Sequence, residues 1–130
     1  MLQQPIILFV CEHGAAKSIV AAAYFNKLAR ERKLNLHAIA RGTTPDEELS
    51  PKAVGGLRRD GLSPGESHPR KLSLADVETA QRVVAFCDLP EEYQSKAAVE
   101  RWDDILSVSE DYEKARDTIL EKLRQLMNSL

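Results

Sequence analysis

Cysteine is almost absent from this chain: only Cys11 and Cys87 among 130 residues carry a thiol. Two thiols exclude a disulfide-stapled scaffold and fit a reducing compartment, where a cysteine is either reactive or simply buried. Long apolar runs are lacking too. Met1 to Pro5 has no basic start, and only five apolar residues follow before Cys11, so neither a secretory leader nor a membrane span is expected and a cytoplasmic location is. Neither sign of charge dominates, because 18 Lys and Arg are interleaved with 20 Asp and Glu for a formal net charge of −2. Nucleic acid and membrane surfaces are therefore not expected partners. There is no internal repeat or low-complexity tract, and no metal is expected. What is there is enough apolar content, 43%, for one domain over residues 1–130 with a real core, expected to be a monomer.

The most informative stretch begins at Ile6. Ile6 to Val10 is an apolar run rich in β-formers, and a helical pattern begins at Ser18, so Cys11 and the six residues after it form the connecting loop. Such a loop can bind an anion. Its N–H groups can converge on one point, the helix start adds a positive dipole end, Gly14 permits a left-handed backbone, and Lys17 supplies a full charge. The field that holds an oxyanion also favours a thiolate at Cys11, to which Ser18 could donate a hydrogen bond. A core cysteine needs none of these neighbours. The glycines and the Gly-Lys-Ser/Thr ending of a nucleotide-binding P-loop are missing.

The remaining chain alternates helix and strand. Ser18 to about Lys33 is predicted as an amphipathic helix through Ile19, Ala22, Ala23, Phe25, Leu28 and Ala29. Leu34 to Ala40 alternates as a strand, and Arg41 to Pro45 is a turn. Ser50 caps a helix that starts with Pro51 and ends at Gly61. The segment 62–70 is a loop, and Ser73 caps a short helix reaching about Ala80. Val83 to Cys87 reads as a third buried strand, Leu89 to Ala98 as mostly helical, and Val99 to Trp102 as a weak fourth strand. Ser109 to Asp111 then opens a final helix to about Met127, with Tyr112, Ala115, Ile119, Leu123 and Leu126 on its apolar face. This order predicts an α/β fold, a three-layer arrangement of an open, four-stranded parallel sheet with helices on both faces and a ligand crevice at the carboxyl ends of the strands.

The pattern of strand, Cys11, five residues, basic Lys17, Ser18 and helix resembles the phosphate-binding loop of the low-molecular-weight protein tyrosine phosphatases and the arsenate reductases built on the same fold. The Gly42-Thr43 turn, the helix after Pro51, His68-Pro69-Arg70 and the short helix that follows extend the resemblance over nearly the whole chain. Lys17 stands where the family has Arg, and Gly14 where it has Asn. A lysine keeps the charge but lacks the planar fork that grips two oxygens. The resemblance implies strand order 2-1-3-4. It also implies Cys11 as nucleophile, and an anion cradle made by Glu12, His13, Gly14, Ala15, Ala16 and Lys17 with Ser18 beside the thiol. The family's acid follows the fourth strand, matching Asp104, with Asp103 in reserve; both also read as exposed loop carboxylates.

Three functions fit this reading. One is arsenate reduction, in which Cys11 attacks the oxyanion and Cys87 acts as a redox partner. The stretch 88–98 has no further Cys, so a complete internal relay is excluded, leaving either a Cys11–Cys87 pair or an external thiol reductant of thioredoxin, glutaredoxin/glutathione or mycothiol type, which could bring in a redox partner protein. By the general behaviour of cysteine, Cys87 reads first as a plain buried strand residue. A second is phosphomonoester hydrolysis of a phosphorylated substrate, although Thr43 to Glu47, Ile105 and Leu106 provide no aromatic ring to clamp a phenol. A third is a catalytically weak oxyanion or phosphoprotein binder. No organic cofactor is expected.

Overall fold

The computed structural model describes residues 5–94 and 99–130. Among the described residues nine elements follow one another: β1 (Ile6–Cys11), α1 (Lys17–Glu31), β2 (His37–Gly42), α2 (Pro51–Arg59), α3 (Leu74–Thr79), β3 (Ala80–Ala85), α4 (Glu91–Gln94), β4 (Val99–Arg101) and α5 (Tyr112–Asn128). The four strands form one sheet in the order β2-β1-β3-β4, and every pairing is parallel. The family-implied order and the three-layer α/β architecture are thus observed.

β1 lies in the middle of the sheet and is apolar on both sides because helices cover both faces. Ile7 and Phe9 join α1, α2 and α5 through Ile19, Phe25, Leu57, Ile119 and Leu123. Leu8 and Val10 face the other way, onto Val77 of α3 and Tyr93 of α4. The ring of Phe9 meets those of Phe25 and Trp102 at 6.0 and 5.9 Å, and Phe86 meets Trp102 edge-on at 5.6 Å. Truncating such a buried ring to Ala would cost about 3–5 kcal/mol. The Phe86–Trp102 contact ties the chain leaving β3 to the chain leaving β4 at the end of the sheet that carries the loops.

A carboxylate clamps the helical layer. Asp60, at the end of α2, accepts hydrogen bonds from Tyr24 (2.5 Å), Tyr112 (2.8 Å) and Arg116 (3.1 Å), joining α1, α2 and α5. Burial alone would raise the Asp60 carboxyl, but these donors and the Arg116 charge outweigh it and hold the group below its ordinary value. Burial, followed by the Asp60 contact, pushes the Tyr24 hydroxyl up to about 12.

Two strands sit where the periodicity did not put them. β2 runs His37–Gly42 rather than 34–40. Lys33 turns left-handed at φ 57° and Leu34 N–H bonds back to the Ala29 carbonyl, so 34–36 only carries the chain from helix to sheet, although Leu34 and Leu36 mimic an alternating strand. Residues Arg41 and Gly42, predicted as turn, pair with Val10 and Cys11. β3 runs Ala80–Ala85 rather than 83–87. Its early residues pair with Ile6 and Ile7, while Phe86 and Cys87 lie beyond it. Cys87 is therefore a half-buried residue just past a strand end, not a core strand residue. Of the predicted helix 89–98, Glu91–Gln94 is helical, and 95–98 lie outside the described residues. The other helices fall within a few residues of expectation, including Ser50, Ser73 and Asp111 as caps.

Candidate active site

The loop between β1 and α1 sits at the carboxyl end of the central strand. Its shape is set from outside by a second loop, 43–50. Thr43, Thr44, Asp46 and Ser50 donate their backbone N–H groups to the carbonyls of Cys11, Glu12, His13 and Ala15, at 3.2, 2.8, 3.0 and 3.0 Å. Those peptides are trans, and in a trans peptide the N–H opposes the C=O. The N–H groups of Glu12, His13, Gly14 and Ala16 therefore point away from the second loop. Gly14 adopts φ 61°, the left-handed conformation the sequence anticipated.

α1 begins at Lys17, and no side chain caps its first turn, so the exposed N–H groups and positive dipole end there remain available to an anion. Ser18, wholly buried, lies instead with its Oγ 3.0 Å from Cys11 Sγ. With Cys11 as a thiolate the hydroxyl is the donor, a charge-assisted bond that stabilises the anionic sulfur. Lys17 has no carboxylate within ion-pair distance among the described residues, so its charge is uncompensated at the mouth of the loop.

A cavity of about 500 Å³ opens over this loop, lined by Cys11, Glu12, His13, Ala15, Ala16, Lys17, Asp46, Ser50, Pro51, Phe86, Cys87 and residues 107–109. The structure thus brings together five of the six expected cradle residues. Gly14 lies behind the wall, packed on Gly42. Cys87 enters the same cavity as Cys11. Burial pushes the Cys87 thiol up, the neighbouring Cys11 pushes it the same way, and a hydrogen bond from Thr43 and the Arg101 charge only partly offset this. Cys87 therefore stays largely a thiol when solvent is neutral.

The two aspartates expected to supply the acid do not enter the cavity. Trp102 and Ile105 are both buried and pin the chain on either side, so the pair between them turns to solvent. Asp103 meets Arg101 at 2.5 Å, and Asp104, with 81% of its side chain exposed, meets Lys122 of α5 at 3.4 Å. In this structure Asp103 and Asp104 hold surface ion-pair positions and do not line the cavity. Asp46 was missed by sequence reading. It lines the cavity, and its Oδ1 lies 3.1 Å from His13 Nδ1; nothing about an acidic residue in a polar loop distinguishes it until the fold closes. Arg70 and Arg41 both bind Glu66, at 2.9 and 2.8 Å, which anchors the 62–70 loop, and neither arginine lines the cavity. His37 is exposed at the start of β2 and has no part in the site.

Comparison with known proteins comes to the same loop. The sequence profile of the low molecular weight phosphotyrosine protein phosphatases matches residues 6–106. Among solved structures, YfkJ from Bacillus subtilis superposes with a TM-score of 0.84 at 20% identity, covering 98% of this chain and 95% of that one. The low molecular weight protein tyrosine phosphatase from T. tengcongensis gives 0.83 at 21% identity, over 97% and 99%. The arsenate reductase from Archaeoglobus fulgidus gives 0.74 at 26% identity, over 94% and 98%. No curated protein sequence matches the chain significantly.

Proposed function

Because the chain belongs to the low molecular weight phosphotyrosine protein phosphatase family, we propose that it is a thiol-based enzyme whose Cys11 attacks a tetrahedral oxyanion, and that the oxyanion is arsenate. The observation that carries the choice is the presence of Cys87 in the cavity of Cys11, where a second thiol serves reduction and has no part in ester hydrolysis. Likeness to an arsenate reductase from Archaeoglobus fulgidus supports the same reading.

In the first step the Cys11 sulfur bonds to arsenic as an As–O bond breaks and the oxygen leaves as water. Loop N–H groups, Lys17 and the start of α1 offset the charge on the remaining oxygens. Cys87, deprotonated as it reacts, then attacks the Cys11 sulfur. The S–As bond breaks with its electron pair staying on arsenic, giving arsenite and a Cys11–Cys87 disulfide. An external dithiol or low-molecular-weight thiol, of thioredoxin, glutaredoxin/glutathione or mycothiol type, returns both residues to thiols and is itself oxidised. The test is arsenate reduction by purified protein with each reductant system. Both Cys11→Ser and Cys87→Ser should abolish it, whereas loss with Cys11→Ser alone would remove Cys87 from the reaction.

A second reading, phosphomonoester hydrolysis, is favoured by the cavity volume, which lies in the range of pockets that enclose small organic ligands and leaves room for an ester's leaving group. Hydrolysis of para-nitrophenyl phosphate without arsenate reduction would move the assignment there.

A further inference from the structure

A second groove joins the cavity of Cys11. Pro51 and Ser109 line both, so the two spaces meet between the start of α2 and the segment that enters α5. The groove has a volume of about 490 Å³, within the range of pockets that enclose small organic ligands. Its floor is fixed by Tyr112. The ring lies so close on α2 that a Cβ at Gly56 would come within 2.3 Å of it, and the hydroxyl bonds to Asp60 at 2.8 Å.

The two walls differ in sign. α2 contributes Lys52 and Arg59, and the entry to α5 contributes Glu110, Asp111 and Glu113. Asp111 is engaged as the helix cap, accepting from the Lys114 N–H at 3.1 Å. Arg59 is held over the Tyr112 ring, 5.8 Å from its centre. Among the described residues, none of Lys52, Arg59, Glu110 and Glu113 has an ion-pair partner. Two cations and two free carboxylates thus line one groove without closing on one another, and a ligand bearing both signs can bridge them.

The reaction proposed above leaves a Cys11–Cys87 disulfide that an external thiol must reduce. A γ-glutamyl tripeptide thiol of glutathione type carries two carboxylates, one ammonium and one sulfur. Its carboxylates match Lys52 and Arg59, its ammonium matches Glu110 and Glu113, and its sulfur is left to enter the Cys11 cavity past Pro51 and Ser109. A sugar-based thiol without ionised groups has nothing to offer either wall. Resting on the arsenate reading, we propose that this groove binds the reductant, a zwitterionic peptide thiol of glutathione type.

The bound thiol loses its proton to solvent and its sulfur attacks that of Cys87. The disulfide breaks with its electron pair going to Cys11, whose sulfur lies 3.0 Å from the Ser18 hydroxyl and accepts a hydrogen bond from it on leaving. A second molecule of the thiol attacks the peptide sulfur of the mixed disulfide and releases Cys87. Two thiols are oxidised to one peptide disulfide for each protein disulfide reduced, and the protein sulfurs regain protons from solvent.

The experiment uses full-length protein and reads binding and turnover separately. S-methylglutathione, which cannot act as a reductant, is titrated into isotope-labelled protein and should shift the amides of Lys52, Gly55, Arg59 and Glu110. In arsenate reduction driven by glutathione, the double variant Lys52→Glu/Arg59→Glu should raise KM for glutathione about tenfold, the scale of two exposed ion pairs, with KM for arsenate unchanged. Glutathione diethyl ester, which lacks both carboxylates, should show a similar rise on wild-type protein and little further change on that variant. Unmoved groove amides, or an unchanged KM for glutathione in the double variant, overturns the subsite while arsenate reduction by wild-type protein leaves the function standing. Reduction with thioredoxin and none with glutathione overturns the subsite in the same way. Groove amides that shift in a protein that reduces no arsenate uphold the groove as a peptide-thiol site and overturn the arsenate reading.

Discussion

Gly14 and Gly42 touch backbone to backbone, and neither position has room for a side chain. A Cβ on Gly42 would lie 2.7 Å from the Gly14 nitrogen, and one on Gly14 would lie 2.8 Å from the Gly42 nitrogen. This contact lets the loop after β1 lie flat against the end of β2, so that the 43–50 loop can take its carbonyls and turn its N–H groups to the cavity. Gly42→Ala is predicted to cost about 1–3 kcal/mol through overpacking and to weaken phosphate or arsenate binding at least tenfold. Denaturant unfolding and anion titration followed by amide NMR would measure the two effects, and unchanged binding would separate the glycine contact from the cradle.

The two thiols should differ in reactivity. Cys11 has the Ser18 hydroxyl at 3.0 Å and a helix start beside it, while burial and Cys11 itself push the Cys87 thiol up. At neutral pH iodoacetamide should label Cys11 first, and phosphate should block that labelling. Peptide mass spectrometry reads the outcome; equal labelling of both residues would contradict it.

Lys17 is predicted to supply a charged contact to the anion. Lys17→Ala should weaken oxyanion binding about 10- to 100-fold, the scale of one hydrogen bond to a charged group. Lys17→Arg should strengthen binding and raise turnover several-fold by adding a second parallel donor. Isothermal titration with phosphate and steady-state kinetics test both changes.

Asp104→Asn should leave turnover within about twofold of wild type, since a surface ion pair is worth about 0–1 kcal/mol and the group lies outside the cavity. A loss of 100-fold or more in kcat would return Asp104 to the acid's role.

The Asp60 clamp predicts a pH dependence of stability. Its folded-state carboxyl is held below the ordinary 3.8, so its contribution is present above that value and is lost as pH falls through the folded-state one. Tyr24 acts oppositely: held up at about 12 against an ordinary 10.0, it contributes fully below pH 10 and loses that contribution between 10 and 12. Asp60→Asn should lower unfolding free energy by about 2–3 kcal/mol at pH 7, with the gap from wild type closing below pH 4 in urea titrations.

What could be read in advance was whatever is written locally. Cys11 to Ser18 declared itself because nucleophile, glycine, cation and helix start are consecutive, and β1 because five apolar residues precede them. Ser50, Ser73 and Asp111 were legible as caps because capping needs only the next few residues. β2 was displaced because Leu34 and Leu36 alternate like a strand although they only leave a helix, and no local signal says that Gly42 must meet Gly14. Asp46 reaches His13 only after the 43–50 loop folds over the site. Asp104 matched a family position by sequence, and its direction was decided by the burial of Trp102 and Ile105.

The central claim is that Cys11 and Cys87 act in one cavity as attacking and resolving thiols. Its most direct measurement is mass spectrometry of reduced protein after reaction with stoichiometric arsenate and no added reductant. The account predicts one equivalent of arsenite and a Cys11–Cys87 disulfide in wild type, with neither formed by Cys11→Ser or Cys87→Ser. Unmodified thiols and intact arsenate in the wild-type sample would contradict it.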